Sequence, residues 1–283
     1  MATKKPAASS RKTAKKPAST AKKTSTKVTT VRAASGASAS ASARSARFTF
    51  SRSPLLAASV AEFVGTFLLA SVVIASSGQP LFVMFAALAV VLVVGVVSGA
   101  HLNPALTIGA LATRRVSLAR AVSYIVAQVL GALLALVVLN AFVSAAPEVS
   151  ESAKAFGQAA PSLFSAPAIA SGKEWVVLAA ELLGSVVLAF GVAAALRRTR
   201  SDVSHAFTYA GVLYLALLLG GTAANYVGAS AILNPAVAGS LQALKFELWP
   251  ILVYVVTPLV GGVLGFALSD LVQNESEATV TKA

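Results

Sequence analysis

Two tripeptides, Asn103-Pro104-Ala105 and Asn234-Pro235-Ala236, stand 131 residues apart and carry the most specific chemistry in this chain. Each has the makings of a helix start. Asn is a strong N-cap, and Pro at the first helical position gives up only an N–H that has no intrahelical partner. Each opens an apolar run of roughly half the length needed to cross a bilayer, over residues 102–113 and 233–244. A helix N-terminus carries about half a positive charge. Two such ends pointed at each other would repel cations, while the Asn103 and Asn234 amides offer hydrogens to a neutral oxygen-bearing solute. That is a filter for uncharged molecules that hydrogen-bond. The candidate lining of the path is Asn103, Pro104, Ala105, Asn234, Pro235 and Ala236, with His101 just upstream.

The elements that must position these groups are read from composition. The 283 residues are 57% hydrophobic and 12% charged, with a mean hydropathy of +0.79, too apolar for a water-soluble domain of this size. A bilayer core of about 30 Å takes about 20 apolar residues per helix. Six stretches qualify, near 55–77, 81–99, 121–143, 175–196, 206–224 and 249–271. The expected fold is an all-α membrane protein of six transmembrane helices plus two re-entrant half-helices, because half-length apolar segments suit re-entrant pieces rather than spans.

Other landmarks move with the tripeptides. Tyr124, Gln128 and Gly131 correspond to Tyr254, Pro258 and Gly261, and Ala61-Glu62-x-x-Gly65-Thr66 corresponds to Ala180-Glu181-x-x-Gly184-Ser185. A three-span unit is therefore duplicated, as repeat one near 55–143 and repeat two near 175–271. An odd number of spans per unit inverts the second copy, so the two half-helices enter from opposite faces.

Charge orients the bundle. Residues 1–52 hold 13 of the 23 Lys and Arg and no acid, which accounts for the whole net charge of +13. This Lys/Ala/Ser/Thr-rich segment cannot build a core and reads as a solvated basic tail. It could also rest on an anionic leaflet; nucleic-acid work is disfavoured because no aromatic residue interleaves the charges before Phe48. The channel-like body is expected over 53–272, with a C-terminal tail at 273–283. Arg114, Arg115, Arg120, Arg197, Arg198, Arg200 and Lys282 fall on the same side as the tail, and Lys154, Lys173 and Lys245 on the other. The positive-inside rule then places both termini in the cytoplasm, as in a multi-pass protein of the plasma membrane. The 144–173 loop is expected outside and irregular.

At Ser98-Gly99-Ala100-His101-Leu102-Asn103-Pro104-Ala105, with the second Asn-Pro-Ala and the duplicated spans, the chain resembles the aquaporin and aquaglyceroporin (major intrinsic protein) family over about residues 55–272. The resemblance implies a right-handed six-helix bundle, one pore per subunit and a homotetramer. It further implies that Asn103 and Asn234 donate to the permeating molecule, and that Glu62 and Glu181 accept hydrogen bonds from the backbone of the re-entrant loops. A carboxylate in an apolar span must be satisfied, so a helix-to-loop tie is preferred to a proton relay. The implied activity is passive passage of water or small neutral solutes such as glycerol-like polyols, with no cofactor and no metal.

One departure stands out. Where most of the family has an Arg after the second Asn-Pro-Ala, this chain has Val237. Family spacing adds Val83, Thr222 and Ala231 to the outer selectivity filter, with Phe82 or Phe85 in place of Val83 if the second span is rotated. Such a filter is small and mostly apolar, hence wider and poorer in donors than one selective for water. His101 reads as a loop hydrogen-bonding residue, with a pH gate as the sharper alternative, and His205, in a connecting loop beside Asp202, receives no role. Gly65, Gly95, Gly99, Gly131, Gly184, Gly261 and Gly265 read as close-packing positions between spans, and Trp175 and Trp249 as an aromatic belt. The absence of cysteine removes disulfides, thiolate zinc sites and Cys nucleophiles, and no nucleophile, base and orienting residue recur at a usable spacing, so an enzyme is not expected. A secondary transporter on the same inverted repeat, or a pore-silent protein acting through its tail, are the competing readings.

Overall fold

A helix that begins with Ser53 accepting from the Leu56 amide, followed by Pro54 at its first position, opens the membrane domain. It is α1, Pro54–Ala75. The computed structural model describes residues 53–198 and 202–280; the basic segment 1–52 and Lys282 lie outside them. The described residues belong to one compact unit. After α1 come α2 (Pro80–Ser98), the short α3 (Pro104–Ala112), α4 (Leu118–Ser144), a single-turn α5 (Glu151–Ala155), α6 (Glu174–Arg198), α7 (Asp202–Asn225) and the short α8 (Pro235–Ser240). The last helix starts as α9 (Leu248–Ile251), passes through a π-helical turn (Leu252–Val256) and continues as α10 (Thr257–Val280). Pro258 explains the turn: it has no N–H for the Tyr254 carbonyl, and the Thr257 hydroxyl donates back to Leu252 at 2.8 Å.

Six of these helices are long and apolar enough to cross a membrane, and no described residue is in a strand. The protein is a multi-pass, all-helical membrane protein. Its loop at 144–173 is irregular apart from α5. The last helix runs on to Val280, past the expected boundary at 272, because Glu275, Glu277 and Ala278 are good helix formers.

The packing partners mirror each other between the halves. Helix α1 packs on α2 and α4 as α6 packs on α7 and α10, while α3 lies against α10 and α8 against α4. Each short helix thus leans on the last span of the opposite repeat. Small residues allow the close approaches. A Cβ on Gly131 of α4 would strike the Phe63 carbonyl of α1, and one on Gly261 of α10 would lie 2.6 Å from the Ser185 Cβ of α6. Gly99 differs from the expectation: a Cβ there would meet nothing within 4 Å, and its φ of +85° makes it the left-handed C-cap that ends α2. Its role is conformational rather than one of contact.

On the face we call inner, Arg115 and Arg197 both reach the Asp270 carboxylate, at 2.5 and 2.8 Å. Arg115 also donates to the Ala193 carbonyl and lies over the Phe266 ring. On the opposite, outer face Trp175 and Trp249 meet edge to face with centroids 5.0 Å apart.

Candidate functional site

The two short helices meet head to head, and the Asn side chains join them. The Asn103 Oδ1 accepts from Ala105 N at 2.8 Å, and the Asn234 Oδ1 accepts from Ala236 N at 3.1 Å. With the oxygen turned to its own helix, each amide nitrogen faces the other repeat. Asn103 Nδ2 donates to the Leu233 carbonyl at 2.8 Å, and Asn234 Nδ2 donates to the Leu102 carbonyl at 2.9 Å. A carboxamide NH2 carries two hydrogens, so each Asn has one fixed across the pseudo-symmetry axis and one left over.

The loops before these helices are strained and buried. Leu102 and Leu233 occupy the same place in the two repeats with φ of +54° and +62°, a conformation that disfavours branched or bulky residues. The carboxylates hold them there. Glu62 accepts from His101 N at 2.8 Å and Leu102 N at 2.6 Å, and Glu181 accepts from Ile232 N at 2.5 Å and Leu233 N at 2.9 Å. One helical turn beyond each Glu is a Gly, and here the duplicated Ala-Glu-x-x-Gly pattern finds its cause. A Cβ on Gly65 would lie 2.5 Å from a Leu102 methyl, and one on Gly184 the same distance from a Leu233 methyl. The Glu binds the loop backbone and the Gly makes room for the loop's Leu.

The copies are not identical. Glu62 also accepts from Gln128 Nε2 at 2.8 Å, and Gln128 donates in addition to the Thr107 hydroxyl at 3.0 Å. The equivalent of Gln128 in the second repeat is Pro258, so among the described residues Glu181 has only its two backbone donors. Tyr124 and Tyr254, also equivalent, donate to the Ser98 and Ser230 carbonyls at 2.8 and 3.2 Å.

A cavity of about 310 Å³ runs from the outer face down to the Asn pair. Val83, Thr222, Ala231 and Val237 all line it, together with Asn103 and Asn234. Val83 is buried while Phe82 and Phe85 are more than half exposed on the other side of α2, so the rotated alternative is not adopted. Pro104, Ala105, Pro235 and Ala236 are buried behind the carboxamides rather than along this cavity. His101 turns its ring toward Thr107 and Tyr124, with Nδ1 3.1 Å from the Thr107 hydroxyl; it is the backbone carbonyl of His101 that faces α7.

Several residues at the site carried no signal in the sequence. Gln79, Asn225 and Phe164 stand around the cavity, with Phe164 supplied by the irregular loop. His205 is not in a loop: it is in the first turn of α7, buried, with Nε2 3.3 Å from the Gly99 carbonyl. Tyr209 lies one turn further along α7 and donates to the His101 carbonyl at 3.0 Å. The i, i+4 spacing of two hydrogen-bonding rings on one face was the available clue.

The fold and site define an inverted-repeat membrane protein with paired re-entrant helices. Residues 49–268 match the Major intrinsic protein family, and the chain belongs to it. It is 33% identical over 217 residues to a glycerol uptake facilitator protein-like 6 of Lactiplantibacillus plantarum, covering 72% of this chain and 93% of that one. It is 32% identical over 180 residues to the aquaporin-1 of Canis lupus familiaris, covering 63% of this chain and 60% of the relative's length. Among solved structures, an aquaglyceroporin from Plasmodium falciparum shares the fold with a TM-score of 0.58 at 18% identity, over 76% of this chain and 96% of that one.

Proposed function

We infer that the chain is a passive membrane channel for water and small neutral solutes of the glycerol-like polyol class, and not an enzyme. One observation carries this: each Asn amide at the inner end of the cavity is fixed by one hydrogen bond, which leaves the second N–H to a passing oxygen. A solute oxygen there exchanges a water hydrogen bond for one from Asn103 or Asn234, while a cation meets the positive ends of α3 and α8.

At the outer constriction Val83, Thr222, Ala231 and Val237 offer a single hydroxyl and no positive charge. Poor in donors and without a cation, this outer filter is permissive and discriminates little between water and larger neutral solutes. That the chain is similar both to a glycerol uptake facilitator protein-like 6 and to an aquaporin-1 fits a filter of intermediate character. Ion-coupled transport would need an acid along the path. The oxygens of Glu62 and Glu181 are instead taken up by loop amides, and Asp270 is held by Arg115 and Arg197.

The inner face, with Arg115 and Arg197, is the cytoplasmic one under the positive-inside rule. Both termini are then cytoplasmic in the plasma membrane. The working assembly is a homotetramer with one pore in each subunit.

The test is reconstitution into liposomes, with light scattering after sucrose and then glycerol shocks and a pH-sensitive dye inside. Rapid shrinkage and glycerol-linked reswelling without acidification are expected. Rates equal to those of protein-free vesicles, from folded protein, would end the channel reading.

A further inference from the structure

We propose that the size- and rate-limiting residue of this channel is Tyr209, at the inner end of the cavity, rather than any residue of the outer filter. The proposal rests on the channel reading above and assigns its narrowest point. The large cavity passes Val83, Thr222 and Val237, reaches Asn103 and Asn234, and ends against Tyr209. Thr222 and Tyr209 are on the same helix thirteen residues apart, about 20 Å along its axis. The cavity therefore extends through the outer half, and the buried Tyr209 ring stands at its inner end.

The two halves of the path also differ in who uses the loop carbonyls. On the outer side Ile232, the repeat-mate of His101, lines the cavity, and among the described residues nothing donates to its carbonyl, while Tyr254 takes that of Ser230, the repeat-mate of Gly99. The part of α2 beside it offers Pro80 and Val83, which have no side-chain donor, and Gln79 at the N-cap of α2 also lines the cavity without donating to that carbonyl. On the inner side α7 supplies donors to the matching loop. Tyr209 Oη donates to His101 at 3.0 Å, and His205 Nε2 lies 3.3 Å from the Gly99 carbonyl. Four residues of helix rise about 6 Å, and two loop residues reach at most about 7 Å, so residues i and i+4 of α7 register with alternate carbonyls. The rings of His205 and Tyr209 meet edge to face at 6.3 Å, and His205 is itself 6% exposed. A solute arriving from the Asn pair thus finds the His101 carbonyl occupied by the protein and a phenol ring across the way. Passage requires the ring to leave the His101 carbonyl, and a glycerol-sized solute needs a larger displacement than water does.

Tyr209→Ala and Tyr209→Phe separate the ring from its hydrogen bond. Proteoliposomes of wild type and both variants, each checked as monodisperse by size exclusion, are followed by light scattering for water and for glycerol between 5 and 35 °C. The temperature range is chosen to give the activation energy of each flux. Tyr209→Phe keeps the ring but frees the carbonyl, and a rise in water flux of about fivefold is expected, the weight of one ordinary hydrogen bond. Tyr209→Ala is expected to raise both fluxes further, to raise glycerol more than water, and to lower the activation energy. A conducting wild type with unchanged fluxes and activation energies in both variants overturns the proposal and leaves the channel standing. If Tyr209→Ala does not fold, Tyr209→Phe decides alone, and no rise overturns the proposal. If no folded version conducts above protein-free vesicles, the channel reading fails and Tyr209 has nothing to limit.

Discussion

The most economical feature of this site is the pairing of a Glu with a Gly one turn later, because the two residues hold one strained loop between them. The loop amides at 101–102 and 232–233 point at a carboxylate, and the αL leucines fill the notch that the glycines leave. Glu181→Gln keeps the shape but sets an amide NH2 against a backbone N–H. A loss of about 2 kcal/mol is expected from the unsatisfied donor, seen as a lower unfolding midpoint in detergent. An unchanged midpoint would mean that the loop is held by packing alone. At the outer mouth, Val237→Arg places a long cation along the cavity beside Thr222. Glycerol flux is expected to fall relative to water flux in shrinkage and reswelling assays; a rise would show that position 237 does not narrow the path. Residues such as Glu62, Glu181, Asn103 and Asn234 were legible because duplication prints them twice. His205 and Tyr209 were not, since the donors are on one helix and the acceptors are backbone carbonyls a hundred residues earlier, which no side-chain pattern marks.

Between elements, the decisive contacts are backbone against backbone. Gly131 of α4 lies on the Phe63 carbonyl of α1, and Gly262 of α10 lies on the carbonyl of Ala105 in α3. Neither backbone can move aside as a flexible side chain would. Gly131→Ala should therefore cost about 3 kcal/mol, the range for overpacking a tight contact, whereas Gly211→Ala in α7, where an added Cβ meets nothing within 4 Å, should change stability by under about 1 kcal/mol. Thermal melts of the two variants side by side give the comparison, and equal effects would argue against helix contact at Gly131. Spans were readable from apolar length alone. The π-helical turn was not, although Pro258 was in view, because a proline inside a helix can be met by a kink, a break or a wider turn, and neighbouring packing chooses among them.

Across the whole molecule, the inverted repeat places equivalent residues on opposite faces, where they acquire different partners. Asp270 ties α10 to Arg115 after α3 and to Arg197 at the end of α6, whereas its repeat-equivalent 130 residues earlier is Asn140, exposed on α4. Asp270→Asn should lower stability by about 1 kcal/mol, since both partners are partly exposed, and the loss should shrink at high salt. An effect independent of salt would mean that Asp270 acts through packing. The same asymmetry separates the outer half of the path, where the Ile232 carbonyl has no donor among the described residues, from the inner half, where Tyr209 of α7 donates to that of His101.

The amino-acid sequence by itself determined the six spans, the duplication, the half-helices and the identity of the Asn and Glu residues, because each is written in local composition or in an exact spacing that recurs. Tertiary structure alone decided what those residues touch. Which Asn hydrogen is bonded across the repeats, why a Gly follows each Glu, and where the cavity ends depend on contacts between segments far apart in the chain. Such contacts are set by how helices of opposite orientation pack, and packing distance is not encoded in the period of any single helix.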